Sequence, residues 1–253
     1  MFEKLFASRS GAEAKKPRVP DDARVYAIGD IHGRLDLLQS IHGLIDEDTR
    51  DFSGHRKVLV YLGDYIDRGL QSKEVIDLLI DAPLGGFELV YLKGNHEQAL
   101  LDFLDGSMLS LDWMSFGGDA TLCSYGVGFE GPRTGLESDS ALREKFHANL
   151  PVHHVGFFRD LTLTHGEGDY LFAHAGVRPG VPLNEQTETD ILWIRHEFLD
   201  CDEDFGKVVV HGHSIVPEPE VKGNRISIDT GAFATGRLSC LVLEGEERRF
   251  LST

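Results

Sequence analysis

Val58-Leu-Val-Tyr-Leu-Gly63-Asp64-Tyr-Ile-Asp67-Arg68-Gly69 is the stretch whose reading decides the fold. Its first half is apolar and rich in β-formers, which predicts a buried strand that Gly63 then breaks. Directly after the break stand two carboxylates and a guanidinium, Asp64, Asp67 and Arg68. The same grammar recurs upstream in Val25-Tyr-Ala-Ile-Gly-Asp30-Ile-His32-Gly33 and downstream in Leu89-Val-Tyr-Leu-Lys-Gly-Asn95-His96-Glu97. Each strand ends in glycine followed by groups that bind metals or carry protons.

Between these strands the apolar residues recur at helical spacing. Leu35, Leu37, Leu38, Ile41, Leu44 and Ile45 predict a helix to about Asp48, and Val75, Ile76, Leu78 and Leu79 one over Ser72–Ile80. A third helix is expected to start near Glu97. The result is β-α-β-α-β with strands Val25–Ile28, Val58–Leu62 and Phe87–Leu92, the pattern of parallel crossover units. Ligands in such sheets collect outside the carboxyl ends of the strands, where these motifs lie.

Further along, Leu104–Leu161 is less regular and, from its position, is expected to cover the site and shape substrate access; within it Trp113-Met-Ser-Phe-Gly-Gly-Asp-Ala-Thr-Leu-Cys-Ser-Tyr-Gly126 mixes aromatics with glycines. Phe129–Ser138 reads as a loop and Ser140–Leu150 as a helix stopped by Pro151. The β signal returns at Leu161–Thr164, Tyr170–Ala173, Val208–Val210, Arg225–Ile228, Arg237–Leu243 and near Phe250, interrupted by a helix over Glu188–Phe198. Two of these strands end in Leu171-Phe-Ala-His174-Ala-Gly and Val208-Val-Val-His211-Gly-His213. Parallel units first and meandering strands later predict two packed mixed β-sheets flanked by helices, an α/β fold.

With 253 residues, 41% hydrophobic and 26% charged, the chain has the composition of a globular protein with a substantial core. Residues 1–22 read as a flexible lead-in, with Phe2, Leu5 and Phe6 as the one apolar face, and 23–253 as a single catalytic domain. The net charge of −17 excludes the basic footprint of a nucleic-acid binder, but not an anionic substrate held through cations. Cys123, Cys201 and Cys240 form no C-x-x-C pair and read as buried spectators in a reducing cytoplasm. No apolar run is long enough to span a membrane.

The polar groups at strand ends are Asp30, His32, Asp64, Asn95, His96, His174, His211 and His213. Carboxylate, imidazole and amide oxygen without thiolate suit Mn²⁺, Fe or Zn²⁺, and they are too many for one tetrahedral ion. A dinuclear site needs a bridging group, and the central carboxylate Asp64 is the natural one. Two ions about 3.5–4 Å apart bind phosphoryl oxygens and share a water of lowered pKa. His42, His55, His147, His153, His154, His165 and His196 lack this context and read as surface or core histidines.

Gly29-Asp-x-His-Gly33, Gly63-Asp-x-x-Asp-Arg-Gly69 and Gly94-Asn-His-Glu97 resemble, in order and spacing, the signature of the phosphoprotein phosphatases within the calcineurin-like metallophosphoesterases. His174-Ala-Gly and Gly212-His213 are similar to the two later metal motifs of that family, and the size is that of its small bacterial and phage members. The resemblance implies that Asp30, His32 and Asp64 hold one divalent ion and that Asp64, Asn95, His174 and His213 hold a second. It implies His96 as general acid oriented by Asp67, and Arg68 and Arg195 as phosphate ligands. His211 falls outside the ligand set, and Arg178 is either near substrate or a solvated loop arginine. The expected substrate is a phosphorylated protein or small phosphate ester, most closely phosphoserine or phosphothreonine. Hydrolysis of a dinucleoside tetraphosphate is the alternative on the same architecture, and a metal-binding scaffold without catalysis is the alternative from another class.

Overall fold

The computed structural model describes residues 16–52, 54–128 and 136–253. Its first half runs β1 (Ala23–Ile28), α1 (Leu35–Asp48), β2 (Arg56–Tyr61), α2 (Ser72–Asp81), β3 (Glu88–Tyr91) and α3 (Asn95–Asp105). Four helices follow: α4 (Ser110–Ser115), α5 (Gly118–Ser124), α6 (Leu136–Asn149) and α7 (Val152–Asp160). The second half is β4 (Thr164–Glu167), β5 (Tyr170–Ala173), α8 (Glu188–Trp193), α9 (His196–Leu199), β6 (Val208–His211), β7 (Glu220–Val221), β8 (Arg225–Ser227), α10 (Ala232–Thr235), β9 (Ser239–Glu244) and β10 (Glu247–Ser252).

The strands form two five-stranded sheets, ordered β10-β9-β1-β2-β3 and β4-β5-β6-β8-β7. In the first, β1, β2 and β3 are parallel and β9 and β10 antiparallel; in the second, β5, β6 and β8 are parallel between antiparallel edges. Period-two alternation sends one set of side chains between the sheets. Val25, Ala27, Val58, Val60, Leu241 and Leu243 meet Tyr170, Phe172, Val208, Val210 and Ile226 there. The opposite face of the first sheet, with Tyr26, Ile28, Leu59 and Tyr61, packs under α1, α2 and α3, and that of the second, with Leu171, Ala173 and Val209, under α8 and α9. Two packed mixed sheets with helices outside are the architecture expected above.

Several local expectations are corrected. The stretch from Ser110 to Ser124 holds two helices, each too short to show a period, whose buried sides are set by Trp113, Ala120, Thr121 and Leu122. The helix expected over Glu188–Phe198 breaks into α8 and α9, because Ile194 turns to extended backbone with ψ of 142°. The strand expected at Leu161–Thr164 begins at Thr164, with Thr162 making only a single bridge to Leu92. Residues 16–22 do not form a lead-in without a core. Val19 is buried between the sheets and its N–H donates to Gly245 O, while Arg18 N–H donates to Asp169. Of the cysteines only Cys240 is buried; Cys123 is exposed. The Phe2, Leu5 and Phe6 face, and residues 129–135 of the expected loop, lie outside the described residues. No helix among the described residues is long and apolar enough to cross a membrane.

Candidate active site

Five strand ends converge on one buried cluster. Asp30 and His32 follow β1, Asp64, Asp67 and Arg68 follow β2, Asn95 and His96 open α3 after β3, His174 follows β5 and His213 follows β6. Holding so many side chains at one point demands unusual backbone. His32, Asp64, Asp67, Arg68 and His213 have φ between 46° and 70°, and they are the non-glycine residues with positive φ among those described. Each such residue costs on the order of 1–2 kcal/mol. Two glycine contacts let the loops meet. A Cβ on Gly69 would run into His32 O and one on Gly94 into Asp64 Oδ1, so neither position accommodates a side chain.

Asp64 sits at the centre. Its Oδ2 lies 3.6 Å from His32 Nε2 and 3.7 Å from His96 Nε2, while its Oδ1 lies 3.4 Å from His174 Nε2. Two compact groups, His32–Asp64–His96 and Asp64–His174–His213, therefore share this one carboxylate. Asn95 Oδ1 joins the second group, 2.9 Å from His174 Nε2 and 2.8 Å from His213 Nδ1.

The tautomers are set from outside the cluster. His32 Nδ1–H donates to Ile66 O at 2.9 Å and His174 Nδ1–H to Leu62 O at 2.8 Å, so both turn Nε2 lone pairs towards Asp64. Burial drives the His32 pKa down to about 3 and lowers that of His174, leaving neutral, ligating imidazoles. His213 Nε2 is buried and has no hydrogen-bond partner among the described residues. Lone pairs facing a carboxylate repel one another unless a cation lies between them. The donor set fits hard or borderline divalent ions on both sides of Asp64.

Asp30 stands apart from both groups. Its carboxylate accepts His213 N–H at 3.0 Å and sits beside Asp229; burial, then Asp229 and Asp64, push its pKa well above the usual range. Burial also lifts Asp229 to about 6. Three clustered buried carboxyls again call for cations.

His96 and Asp67 form a second unit. His96 Nδ1–H donates to Asp67 Oδ2 at 2.7 Å, and both side chains are buried. Burial opposes protonation of His96, but Asp64 and Asp67 outweigh it and raise its pKa. Arg68 reaches in from the rim, donating to His32 Nε2 at 3.0 Å and His96 Nε2 at 3.2 Å, with its guanidinium stacked 4.6 Å over Phe233. Arg195, the residue before α9, is exposed, and its charge acts on both His174 and His213.

The remaining predicted residues fall outside the cluster. His211 pairs with Ser227 Oγ at 2.7 Å and tucks against Phe198. Arg178 is tied to Asp190 of α8, Nε to Oδ1 at 2.8 Å. Sequence reasoning missed four groups. Glu97 accepts the N–H groups of Asp64, Tyr65 and Gly94 at 2.8–2.9 Å and so holds the bridging loop. Trp113 and Thr121 hydrogen-bond Asp67. Asp229 follows β8 in Ile226-Ser-Ile-Asp229-Thr-Gly231, the same strand-end grammar that marked the others.

Comparison with known proteins points the same way. The model of the calcineurin-like phosphoesterase family matches residues 23–236. A serine/threonine-protein phosphatase 2 of Escherichia coli is 29% identical over 228 residues, covering 85% of this chain and 90% of its own. An asymmetrical bis(5'-nucleosyl)-tetraphosphatase of Anoxybacillus flavithermus is 27% identical over 228 residues, covering 85% and 88%. A solved serine/threonine phosphatase from Saccharomyces cerevisiae shares the fold, with a TM-score of 0.53 at 15% identity, covering 94% of this chain and 84% of that one.

Proposed function

The chain belongs to the calcineurin-like phosphoesterase family, and on that premise we propose that it removes phosphate from phosphoserine and phosphothreonine in proteins with the help of two divalent ions. Asp30, His32 and Asp64 would hold one ion, and Asp64, Asn95, His174 and His213 the other, with Mn²⁺ the favoured metal and Fe or Zn²⁺ compatible with the same donors. Bound there, the ions supply positive charge to the phosphoryl oxygens and a water of lowered pKa. The rest falls to the chain. Arg68 and Arg195 bind phosphate oxygens with preorganised donors. His96 keeps its Nδ1–H on Asp67 and exchanges its second proton at Nε2, towards the leaving oxygen. In the same reading residues 23–253 are one catalytic domain working in the cytoplasm.

The buried His96–Asp67 pair carries this choice of substrate. A serine or threonine alkoxide is a strongly basic leaving group and needs a proton, whereas a nucleotide leaving from a phosphoanhydride does not. A second reading, hydrolysis of dinucleoside tetraphosphates, has its own support. The relatives include tetraphosphatases, and half-buried Phe116, Trp193 and Phe233 contact the imidazoles of His96, His213 and His32, offering rings for a base to stack on.

Initial rates on a phosphoserine peptide, a phosphotyrosine peptide and diadenosine tetraphosphate, with metal content measured, test the proposal. Preferential turnover of phosphoserine, abolished by chelator and restored by Mn²⁺, is expected. Preference for the dinucleotide would replace the first reading by the second, and full activity of a metal-free preparation would refute both.

A further inference from the structure

The Asp67 carboxylate, fully buried, touches more than His96. Trp113 Nε1–H donates to Oδ2 at 3.1 Å, the same oxygen that receives His96 Nδ1–H. The Thr121 hydroxyl donates to Oδ1 at 2.6 Å and accepts Asp67 N–H at 2.9 Å. Next door, Arg68 N–H donates to Gly117 O at 3.1 Å. All of these partners lie in the Trp113–Tyr125 stretch, on α4, α5 and the Gly117–Gly118 turn between them.

Both donors are buried and held by packing. The Trp113 indole is 0% exposed and stacks on Phe103 of α3, with centroids 5.0 Å apart, and packs on Phe146 of α6. A Cβ on Gly118 would clash with the indole, so the turn is moulded to that ring. Thr121 is likewise 0% exposed and is bonded also to Ser72 Oγ at 3.0 Å. A carboxylate anchored only by His96 could turn about its Cβ–Cγ bond and let the imidazole swing with it. Donors on both oxygens remove that freedom.

We propose that Trp113 and Thr121 are positioning residues for the proton donor: by clamping Asp67 through both oxygens they aim His96 Nε2 at the leaving oxygen. The helices α4 and α5 are thus part of the acid, not merely a cover over the pocket. The inference rests on the reading of His96 as proton donor, and the test separates the two.

Trp113→Phe keeps the ring and loses the N–H, Thr121→Val is near-isosteric and loses the hydroxyl, and Thr121→Ser retains it. These are compared with His96→Ala, all with Mn²⁺, on a phosphoserine peptide and on p-nitrophenyl phosphate, whose phenolate leaves without a proton. Loosening the acid without removing it is expected to lower kcat on the peptide on the order of ten-fold, a fraction of the 10²–10⁴ attributed to proton transfer. The loss on the aryl ester should stay within about two-fold, KM should hold, and Thr121→Ser should recover peptide turnover. Equal losses on both esters, no loss on either, or no recovery in Thr121→Ser would overturn the clamp. If His96→Ala alone discriminates between the esters, the clamp falls and the acid stands. If His96→Ala does not discriminate, both fall. Should Trp113→Phe fail to fold, the Thr121 pair decides.

Discussion

Loops of the first sheet bring Asp30, His32, Asp64, Asp67, Arg68, Asn95 and His96 to the pocket, while the second sheet side brings His174, His213 and Arg195. Four of the five left-handed residues belong to the first group and only His213 to the second. The trio His32–Asp64–His96 is built wholly from the turns after β1, β2 and β3, whereas the trio Asp64–His174–His213 exists only when the sheets pack. The Val60, Phe172 and Val210 layer between the sheets is therefore also what closes the second trio. One side carries the shared carboxylate of the two trios and the proposed proton donor. The other completes the site with imidazole and charge.

The largest effect that could break this contrast is at the shared carboxylate. Asp64→Asn should abolish turnover and bound metal together, whereas His213→Ala should leave the ion on the first-sheet side in place; metal analysis of both purified variants decides. Retention of two ions in Asp64→Asn would end the idea of a shared ligand. Next comes His96→Ala, expected to lower kcat on a phosphoserine peptide about 10²–10⁴-fold with metal content unchanged. Phe172→Ala, at the sheet interface, should cost roughly 3–5 kcal/mol of stability in denaturant titration and weaken the ion proposed at Asn95, His174 and His213 before that proposed at Asp30 and His32. Simultaneous weakening of both would show that the first sheet does not assemble its ion site independently. The smallest effect is at the rim. On the proposed role of Arg195, Arg195→Ala loses one charged contact worth about 1.5–3 kcal/mol and should raise KM roughly ten- to hundred-fold while metal stays bound; an unchanged KM would remove Arg195 from the phosphate site.

The same asymmetry governs what could be read from sequence. In the first half each strand, turn and helix is written locally, and the expected α1 and α2 agree with the structure to within a residue. The strand-end polar residues were legible as a set because a parallel sheet must bring such ends together. Trp113 and Thr121 were not, since they lie 46 and 54 positions from Asp67 and sit on helices of six and seven residues, too short to show a period. The break at Ile194 leaves no local mark either, because a buried isoleucine at that point is fixed by packing rather than by propensity. Val19 escaped for a similar reason: its partner is the turn at Gly245, at the far end of the chain. Asp229 was readable by the grammar already in use, as a carboxylate directly after a strand and ahead of a glycine.

The five left-handed residues have a consequence for how this fold can be altered. Glycine adopts their backbone without strain, yet at Asp67 a relief on the order of 1 kcal/mol is outweighed by the buried donors of His96, Trp113 and Thr121 left without an acceptor, at roughly 1–3 kcal/mol each. Selection by melting temperature alone would therefore keep this buried carboxylate despite its strained backbone. The strained turns are held by the polar contacts their own residues make, and gains in stability have to be sought between the sheets instead.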